Sequence, residues 1–389
     1  MTNETFPSAL DLSPEGRRKM GLVKWNRYGD ALAAWVAEHD FGAPPAVYSR
    51  LQELVNGGAF GYHYEFERVL DSFARWSEVR HKWTPNPELG INTVNVIQGI
   101  WACVEAFTEA EDGVLFSTPI YPPFFNIGPT TNRRPVEWSM SHDEDGWHYD
   151  FEKLENLLES DSGIRLMVLC HPHNPTGKVL TEEELSLLVD IAHRHNLIIV
   201  SDEIHGDLVH PRATHIPMLT IPGADDCTVT VTSGIKTFAF GGIRCAVAQT
   251  GSRKIFEQLS TVPSALLGGP NRMGAEAAIT AWDTGETWVD QMKNTLDSNR
   301  HLLFDRLNKE LPAINMHLPQ STFVAWLDLS NYEPGERPAT WMRGLTGVAG
   351  QNGLNFGSEG SGHLRLTFGT SPEVLNQMID QMVEGLPAL

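Results

Sequence analysis

Apolar and polar positions along the chain follow two patterns. Short apolar or β-branched runs between turn signals are typical of strands buried on both faces of a parallel sheet. Seven segments are predicted strands, namely residues 92–96, 114–117, 165–169, 197–200, 228–231, 322–327 and 363–368. Other segments repeat apolar residues at helical spacing, chiefly residues 47–55, 65–79, 102–107, 272–311 and 372–383. The mixture predicts an α/β fold.

The clearest unit runs from residue 165 to residue 202. Its first strand ends in the turn HPHNPTG, and Thr181 and Glu184 then have the spacing of a capping box at the start of an amphipathic helix. The next strand delivers Asp202 at its carboxyl end. Ligands of open α/β sheets bind outside the carboxyl ends of the strands, so we expect Asn174, Asp202 and Lys236 to converge there.

An amide, a carboxylate and an amine together suit pyridoxal phosphate. This cofactor needs a lysine that bonds to its aldehyde carbon and an acid that keeps its ring nitrogen protonated. Its phosphate favours hydroxyl groups, backbone N–H groups and arginine. We assign Lys236 as the amine, Asp202 as the acid, Asn174 as the amide near the phenolic oxygen, and Ser233 and Arg244 as phosphate anchors. Lys178 is the rival amine, but its place before a helix is ordinary for a solvated lysine.

Several motifs resemble a known family. HNPTGK, SDEIH and SGIKTF, with an arginine eight residues beyond the lysine, resemble the fold-type I enzymes of the class I/II aminotransferase superfamily. Within that group, KWNRYGDALAAWVAEHDF, PIYPPF and the histidine of DEIH resemble the cystathionine β-lyase branch, the C–S lyases of the MalY and PatB kind. The resemblance extends from about residue 24 to the C-terminus.

The resemblance implies a two-domain architecture for these 389 residues. A large domain would hold a mostly parallel seven-stranded sheet between helices, and a small domain would be α+β. Residues 1–47 would form an N-terminal arm and part of the small domain, residues 48–280 the large cofactor-binding domain, and residues 281–389 the rest of the small domain. A homodimer with shared active sites is also implied.

Further cofactor contacts follow from the resemblance together with local patterns. Gly99, Ile100 and Trp101 would form a phosphate cradle at a strand-to-helix turn, although many helices begin with glycine. Tyr121 is held at a strand end by prolines, where its ring would stack on the pyridine ring. His205 stands where transaminases usually carry a tyrosine, and would line the cofactor pocket unless it is a surface histidine.

Substrate contacts and the dimer contact rest on the resemblance alone. Arg365 projects from a predicted strand and would bind the substrate α-carboxylate in bidentate fashion, with a structural ion pair as the alternative. Val36 and Ala37 would offer backbone N–H groups to that carboxylate, or simply cover the small domain. Tyr62 would reach the partner subunit's cofactor phosphate, or only pack at the interface.

The resemblance implies α,β-elimination on L-cystathionine or related cysteine S-conjugates, with Lys236 as the general base. Tyr121 and Asp202 complete the predicted catalytic set. An aminotransferase would use the same residues, so the residue list does not separate the two reactions. A regulatory, partner-binding role is a further alternative, although a pure binding module has no need of both Lys236 and Asp202.

Composition and the pattern of cysteines and histidines limit the binding partners and the cellular location that we expect for the protein. The chain carries 29 Lys and Arg residues against 49 Asp and Glu residues, a net charge of −20, which argues against nucleic acid or an anionic membrane as partner. The first 30 residues show no apolar signal-peptide core. The four cysteines lie in or beside apolar segments and form no CxxC pair, and the histidines lack zinc-site spacing. We therefore expect a cytoplasmic protein with reduced thiols and no metal.

Overall fold

The computed structural model describes residues 12–62 and 65–389, and its largest element is a seven-stranded sheet. Strands in chain order are β1 (Leu32–Ala33), β2 (Gly90–Thr93), β3 (Gly113–Thr118), β4 (Arg134–Ser139), β5 (Ser141–Asp143), β6 (Gly146–His148), β7 (Ile164–Cys170), β8 (Ile198–Asp202), β9 (Thr228–Thr232), β10 (Ala246–Thr250), β11 (Asn315–Met316), β12 (Val324–Asp328), β13 (Val348–Ala349), β14 (Gln351–Asn352) and β15 (His363–Thr367). The large sheet has the order β2-β10-β9-β8-β7-β3-β4. Only β10 runs antiparallel to its neighbours within it. The predicted mostly parallel sheet of seven strands is confirmed.

Helices cover both faces of this sheet. They are α1 (Pro14–Lys19), α2 (Val23–Asn26), α3 (Pro45–Asn56), α4 (Glu67–His81), α5 (Val96–Phe107), α6 (Ile127–Thr131), α7 (Phe151–Ser160), α8 (Glu182–His195), α9 (Arg253–Leu259), α10 (Ser264–Leu267), α11 (Arg272–Thr284), α12 (Glu286–Glu310), α13 (Pro338–Thr346) and α14 (Pro372–Gly385). Leu166 and Val168 of β7 pack in one core with α5 and α9, whereas Met167 and Leu169 pack in another with α7 and α8. This alternation follows from the two-residue period of a strand.

The predicted capping box is present at the start of α8. The Glu184 N–H donates to Thr181 Oγ1 at 3.2 Å, and the Thr181 N–H donates to Glu184 Oε2 at 2.8 Å. Two N–H groups that the helix leaves without partners are thereby satisfied. The helix ends at His195, because the next residue, Asn196, has a left-handed φ of 50°.

A second sheet, of order β11-β12-β15-β14, forms the core of the C-terminal region together with α12, α13 and α14. Strand β1 pairs in parallel with β13, so the N-terminal segment joins this region. The predicted helical stretch 272–311 is two helices that meet at Gly285. The predicted domain boundary at residue 280 falls inside α11, and the division into domains stays a prediction.

Two strands of the large sheet were not predicted from the sequence. Strand β4 lies at the sheet edge, where only Val136 and Trp138 of its six residues are buried. Charged residues on the exposed positions of an edge strand hide its apolar pattern. Strand β10 has the sequence AVAQT and is fully buried, but its small and polar residues give a weak strand signal.

Among the residues that the structure describes, no helix has the length and apolar character to cross a membrane.

Candidate active site

The carboxyl ends of the parallel strands open into a cavity of about 350 Å³. Its lining residues are Asn95, Val96, Ile97, Tyr121, Pro123, Cys170, Asn174, Asp202, Ile204, His205, Ile235, Lys236, Gly241 and Arg244. Asp202 is the last residue of β8, and Asn174 and Lys236 lie in the turns that follow β7 and β9. The order of the strands in the sheet therefore brings together the three side chains expected to converge.

Lys236 supplies the amine of this cavity. Its Nζ donates to the Ala37 carbonyl at 2.6 Å. Burial, aided by the positive charge of Arg365, lowers the pKa of the Lys236 amine to about 8. Lys178 lies against a different cavity and pairs with Glu184 Oε1 at 2.8 Å. The rival lysine is thus outside the site.

Asp202 is a buried carboxylate that lacks a full counter-charge. Burial raises the pKa of its carboxyl to about 7. A hydrogen bond from the Ile204 N–H to Oδ1 at 3.1 Å and the charge of Lys236 act in the opposite direction, but burial is the larger effect. An ionised carboxylate in such surroundings gains from a cation placed beside it. The site is therefore suited to a cationic group next to Asp202.

Arg365 is a buried guanidinium with neutral partners. Its Nη1 donates to Asn174 Oδ1 at 3.1 Å, and its Nη2 donates to the Trp35 carbonyl at 2.9 Å and to Gln351 Oε1 at 2.5 Å. Its Nε is buried without a hydrogen-bond partner among the described residues. Burial lowers the pKa of Arg365 to about 10, so it remains a cation at neutral pH. A carboxylate is the complementary ligand for this group.

Tyr121 and His205 also line the cavity. Burial raises the pKa of the Tyr121 phenol, so it stays protonated. His205 is buried, which excludes the alternative of a surface histidine, and burial lowers the pKa of its imidazole to about 3. Both side chains therefore face the cavity in their neutral forms.

The N-terminus of α5, which lies at the cavity, is formed by other residues than the predicted residues 99–101. Strand β2 ends at Thr93 and α5 begins at Val96, with Asn95 as its cap. Gly99, Ile100 and Trp101 therefore lie inside the helix, and the Gly99 N–H is already bonded to the Asn95 carbonyl at 3.0 Å.

Close packing of α5 against β9 explains why residue 99 is glycine. A Cβ on Gly99 would lie 2.9 Å from Val231 Cγ1. The prediction of a cradle at residues 99–101 was wrong about which residues form the helix end, which consists of Asn95, Val96 and Ile97.

The remaining predicted residues are spread around the cavity. Arg244 lines it with an exposed side chain. Ser233 does not line it, because its hydroxyl donates to the Cys245 carbonyl at 2.5 Å. Val36 and Ala37 lie in the segment that covers Lys236, and here Ala37 offers its carbonyl. Tyr62 is fully exposed and lies at a separate surface depression. The assigned roles of these residues stay predictions.

Sequence reasoning missed several residues of the site. Asn95 could have been found, since a capping residue followed by a helical pattern is a known helix start. Ile204 precedes the predicted His205, but nothing in its pattern separates it from a core residue. Gln351, which accepts from Arg365, comes from a distant strand and carries no sequence signal.

Among the described parts of the chain, no cluster of three or more His, Cys, Asp or Glu side chains is arranged to hold a metal ion.

Comparisons with known proteins agree with this geometry. The family model "Aminotransferase class I and II" matches residues 36–382. Cystathionine beta-lyase PatB of Bacillus subtilis is 31% identical over 358 residues, which cover 90% of this chain and 92% of PatB.

Solved structures give the same result. The pyridoxal-phosphate-bound C–S lyase of Staphylococcus hominis superposes with a TM-score of 0.91 at 26% identity, covering 100% of this chain and 99% of that one. Cystalysin from Treponema denticola superposes with a TM-score of 0.90 at 26% identity, covering 95% and 96%. The chain therefore belongs to the class I and II aminotransferase family.

Proposed function

We propose that this protein is a pyridoxal-phosphate-dependent carbon–sulfur β-lyase that acts on L-cystathionine or related cysteine S-conjugates. The observation that carries the proposal is one cavity lined by Lys236 and Asp202 and adjoined, through Asn174, by the buried cation Arg365. Relatives named cystathionine beta-lyase align with nearly the whole chain. This likeness favours elimination over the other reactions of the family.

The residues of the cavity fit the cofactor. Asp202 needs a cation for its buried charge, and the protonated ring nitrogen of pyridoxal phosphate is such a cation. Lys236 is an amine whose lowered pKa favours the neutral form that bonds to an aldehyde. The exposed Arg244 and the N-terminus of α5 provide positive charge and N–H groups for a phosphate.

When bound, pyridoxal phosphate supplies an electron sink for the bond that breaks at the substrate α-carbon. Arg365 binds the substrate α-carboxylate, which replaces its neutral acceptors Gln351 and Trp35. Lys236 accepts the α-proton, and a pKa of about 8 suits a base that works near neutral pH. The Cβ–S bond then breaks, the sulfur leaves as a thiol, and the three-carbon product hydrolyses to pyruvate and ammonia.

We also propose that the protein is a homodimer with shared active sites. Phe60 and Leu266 are 69% and 63% exposed, and the fully exposed Tyr62 lies at the same surface depression as Phe60. The Leu266 carbonyl accepts from Gln98 Nε2 at 2.6 Å, so the exposed Leu266 adjoins the helix end that lines the cavity. Large exposed apolar side chains mark an interaction surface.

Mixing two inactive variants tests the shared site. Tyr62→Ala and Lys236→Ala protomers would form a mixed dimer with one intact site if Tyr62 acts in the partner subunit. Recovery of activity on mixing supports the proposal, and its absence in a mixed dimer shown by mass spectrometry rejects it.

A cytoplasmic location stays a prediction. It is supported by the four cysteines, which are all buried and all free thiols.

The decisive assay uses the purified, cofactor-loaded protein with L-cystathionine and no keto acid. Pyruvate and free thiol released in equal amounts over many turnovers support the lyase. A single turnover that restarts on addition of a keto acid would identify an aminotransferase. A protein that takes up no pyridoxal phosphate, shown by a missing visible absorption band, would reject the cofactor assignment and reopen the binding role.

A further inference from the structure

Residues 34–40, called the strap here, contact Lys236 at the edge of the cavity and the loop that carries it. The strap is tied at both ends to β15 and the turn after it. The Thr367 N–H donates to the Ala34 carbonyl at 2.8 Å, and the Asp40 N–H donates to the Gly369 carbonyl at 2.8 Å. The strap is therefore attached to the C-terminal sheet, although it also contacts the loop that follows β9 of the large sheet.

A buried ion pair stiffens the second half of the strap. Lys24 Nζ lies 2.9 Å from Asp40 Oδ2 and donates to the Glu38 carbonyl at 2.8 Å. Trp25 Nε1 donates to Asp40 Oδ1 at 2.9 Å. Because both charges are removed from water, each relies on the other and on these hydrogen bonds.

Three hydrogen bonds join the strap to the side chains of the site and to the lysine loop. The Trp35 carbonyl accepts from Arg365, the Ala37 carbonyl accepts from Lys236 at 2.6 Å, and His39 Nε2 donates to the Thr237 carbonyl at 3.1 Å. The first two use groups that the proposed function assigns to substrate and cofactor. Those two bonds are lost or weakened when the site is filled, whereas the His39 bond uses neither group.

The surroundings of His39 fix its ring. It is buried among the rings of Phe41, Trp288 and Phe323, with ring centroids 5.5, 5.9 and 5.5 Å away. Burial lowers the pKa of the imidazole to about 4, so the ring is neutral at working pH. Since the Thr237 carbonyl oxygen can only accept a hydrogen bond, the single ring proton of His39 lies on Nε2.

Thr237 is itself held from its other side. Its hydroxyl donates to Asp207 Oδ2 at 2.9 Å. The residue that follows Lys236 is thus a fixed point to which the strap can attach.

We propose that His39 is a positioning residue, whose hydrogen bond to the Thr237 carbonyl keeps the strap in place at the edge of the cavity once Lys236 and Arg365 are engaged by ligands. This inference rests on the proposed function. It assigns to His39 a role in substrate binding through the strap, without any contact of its own with the reacting atoms.

Two substitutions separate the hydrogen bond from packing. His39→Phe keeps an aromatic ring among the three neighbouring rings but removes the donor, whereas His39→Gln keeps an N–H at similar reach. His210→Phe is the matched control, because His210 is also buried and its Nε2 donates to a backbone carbonyl, that of Thr322, at 2.8 Å, away from the cavity. All variants are prepared loaded with pyridoxal phosphate.

The first readout is hydrogen exchange of the peptide that covers residues 35–41. We expect about tenfold faster exchange in loaded His39→Phe than in wild type, and little change in His39→Gln and His210→Phe, in line with the loss of one hydrogen bond. The second readout is the KM for L-cystathionine, which we expect to rise about tenfold in His39→Phe with a smaller change in kcat.

Equal exchange and equal KM in His39→Phe and wild type would overturn the inference. So would equal effects of His39→Phe and His39→Gln, which would assign the effect to packing, or the same KM change in His210→Phe. A wild-type protein that loads the cofactor but releases no thiol would reject the proposed function, and the exchange readout would still decide for or against the role of His39.

Discussion

The Thr237 hydroxyl donates to Asp207 Oδ2 at 2.9 Å and joins the loop that carries Lys236 to the loop that follows Asp202. Asp207 also accepts from Trp76 Nε1 at 3.0 Å and from His81 Nε2 at 3.1 Å. Burial alone would raise the pKa of the Asp207 carboxyl, but hydrogen bonds and nearby positive charge, above all from His81, hold it at about 2. The residue next to Lys236 is thus held by a charged residue outside the cavity.

Substitution Asp207→Asn should loosen this connection. The amide keeps the shape but presents an NH2 group to one of the donors, so we expect a loss on the order of 1–3 kcal/mol in the free energy of unfolding at pH 7. Because the folded carboxyl has a lowered pKa, its contribution is present above about pH 4 and disappears as the pH falls towards 2.

Urea denaturation from pH 3 to pH 7 measures this difference. The exposed Asp305 of α12 provides the control Asp305→Asn, which should leave the free energy of unfolding nearly unchanged. A difference between wild type and Asp207→Asn that is the same at pH 3 and pH 7 would contradict the charge argument.

Lys236→Ala should abolish turnover, because the cavity then holds no amine to bond to the cofactor or to accept the α-proton. We expect less than a few per cent of wild-type kcat, measured as pyruvate release. Lys178→Ala is the matched control, since Lys178 lies at a different cavity and pairs with Glu184. It should keep activity within about threefold, given that it removes only one partly buried ion pair. Substantial activity in Lys236→Ala would disprove the assignment.

Asp202→Asn should have opposite effects on activity and on stability. In the cofactor-free protein the folded carboxyl has a raised pKa, so its favourable contribution exists at low pH and is lost as the pH rises through about 7. Asparagine never ionises. The cofactor-free variant should therefore be more stable than wild type at pH 8, by on the order of 4 kcal/mol at most, and similar to it at pH 4.

Thermal unfolding at the two pH values, with turnover of the loaded protein, measures both effects of Asp202→Asn. Turnover should fall by about a hundredfold or more, since a neutral amide does not hold the protonated ring nitrogen as a carboxylate does. Wild-type activity in the variant, or a stability gain that persists at pH 4, would show that Asp202 does not carry a buried, uncompensated charge.

Arg365→Lys tests the carboxylate contact. Lysine keeps the charge but offers no planar pair of donors, so bidentate binding is lost. We expect the KM for L-cystathionine to rise about a hundredfold, in line with charged hydrogen bonds of about 1.5–3 kcal/mol each. Arg253→Lys, at an exposed site, is the control. An unchanged KM in Arg365→Lys would assign Arg365 to a structural role with Asn174 and Gln351.

Local patterns in the sequence were enough to predict the central part of the fold. The strand that ends near Cys170, the capping box at Thr181 and the strand that ends at Asp202 each depend on neighbouring residues, so the pattern of apolar and capping residues defines them. The convergence of Asn174, Asp202 and Lys236 then follows from parallel pairing of these strands. The resemblance to a family contributed Arg365 and Tyr121.

Contacts between distant segments were beyond the sequence pattern. His39 and Thr237 are 198 residues apart, and Arg365 and Trp35 are 330 residues apart. Nothing in the sequence of these segments indicates which distant residue each one contacts. Ser233 shows a different limit, because the direction of its hydroxyl depends on the Cys245 carbonyl.

The parallel pairing of Leu32–Ala33 with Val348–Ala349 has a consequence for synthesis of the chain. A ribosome makes the strap long before it makes the strap's anchors at Thr367 and Gly369. Until those anchors exist, the segment that will contact Lys236 has no C-terminal sheet to join. The large sheet can assemble first, since domains generally fold as units from the N-terminal side. The strap can therefore take its place beside Lys236 only after β15 and the turn that follows it have been made.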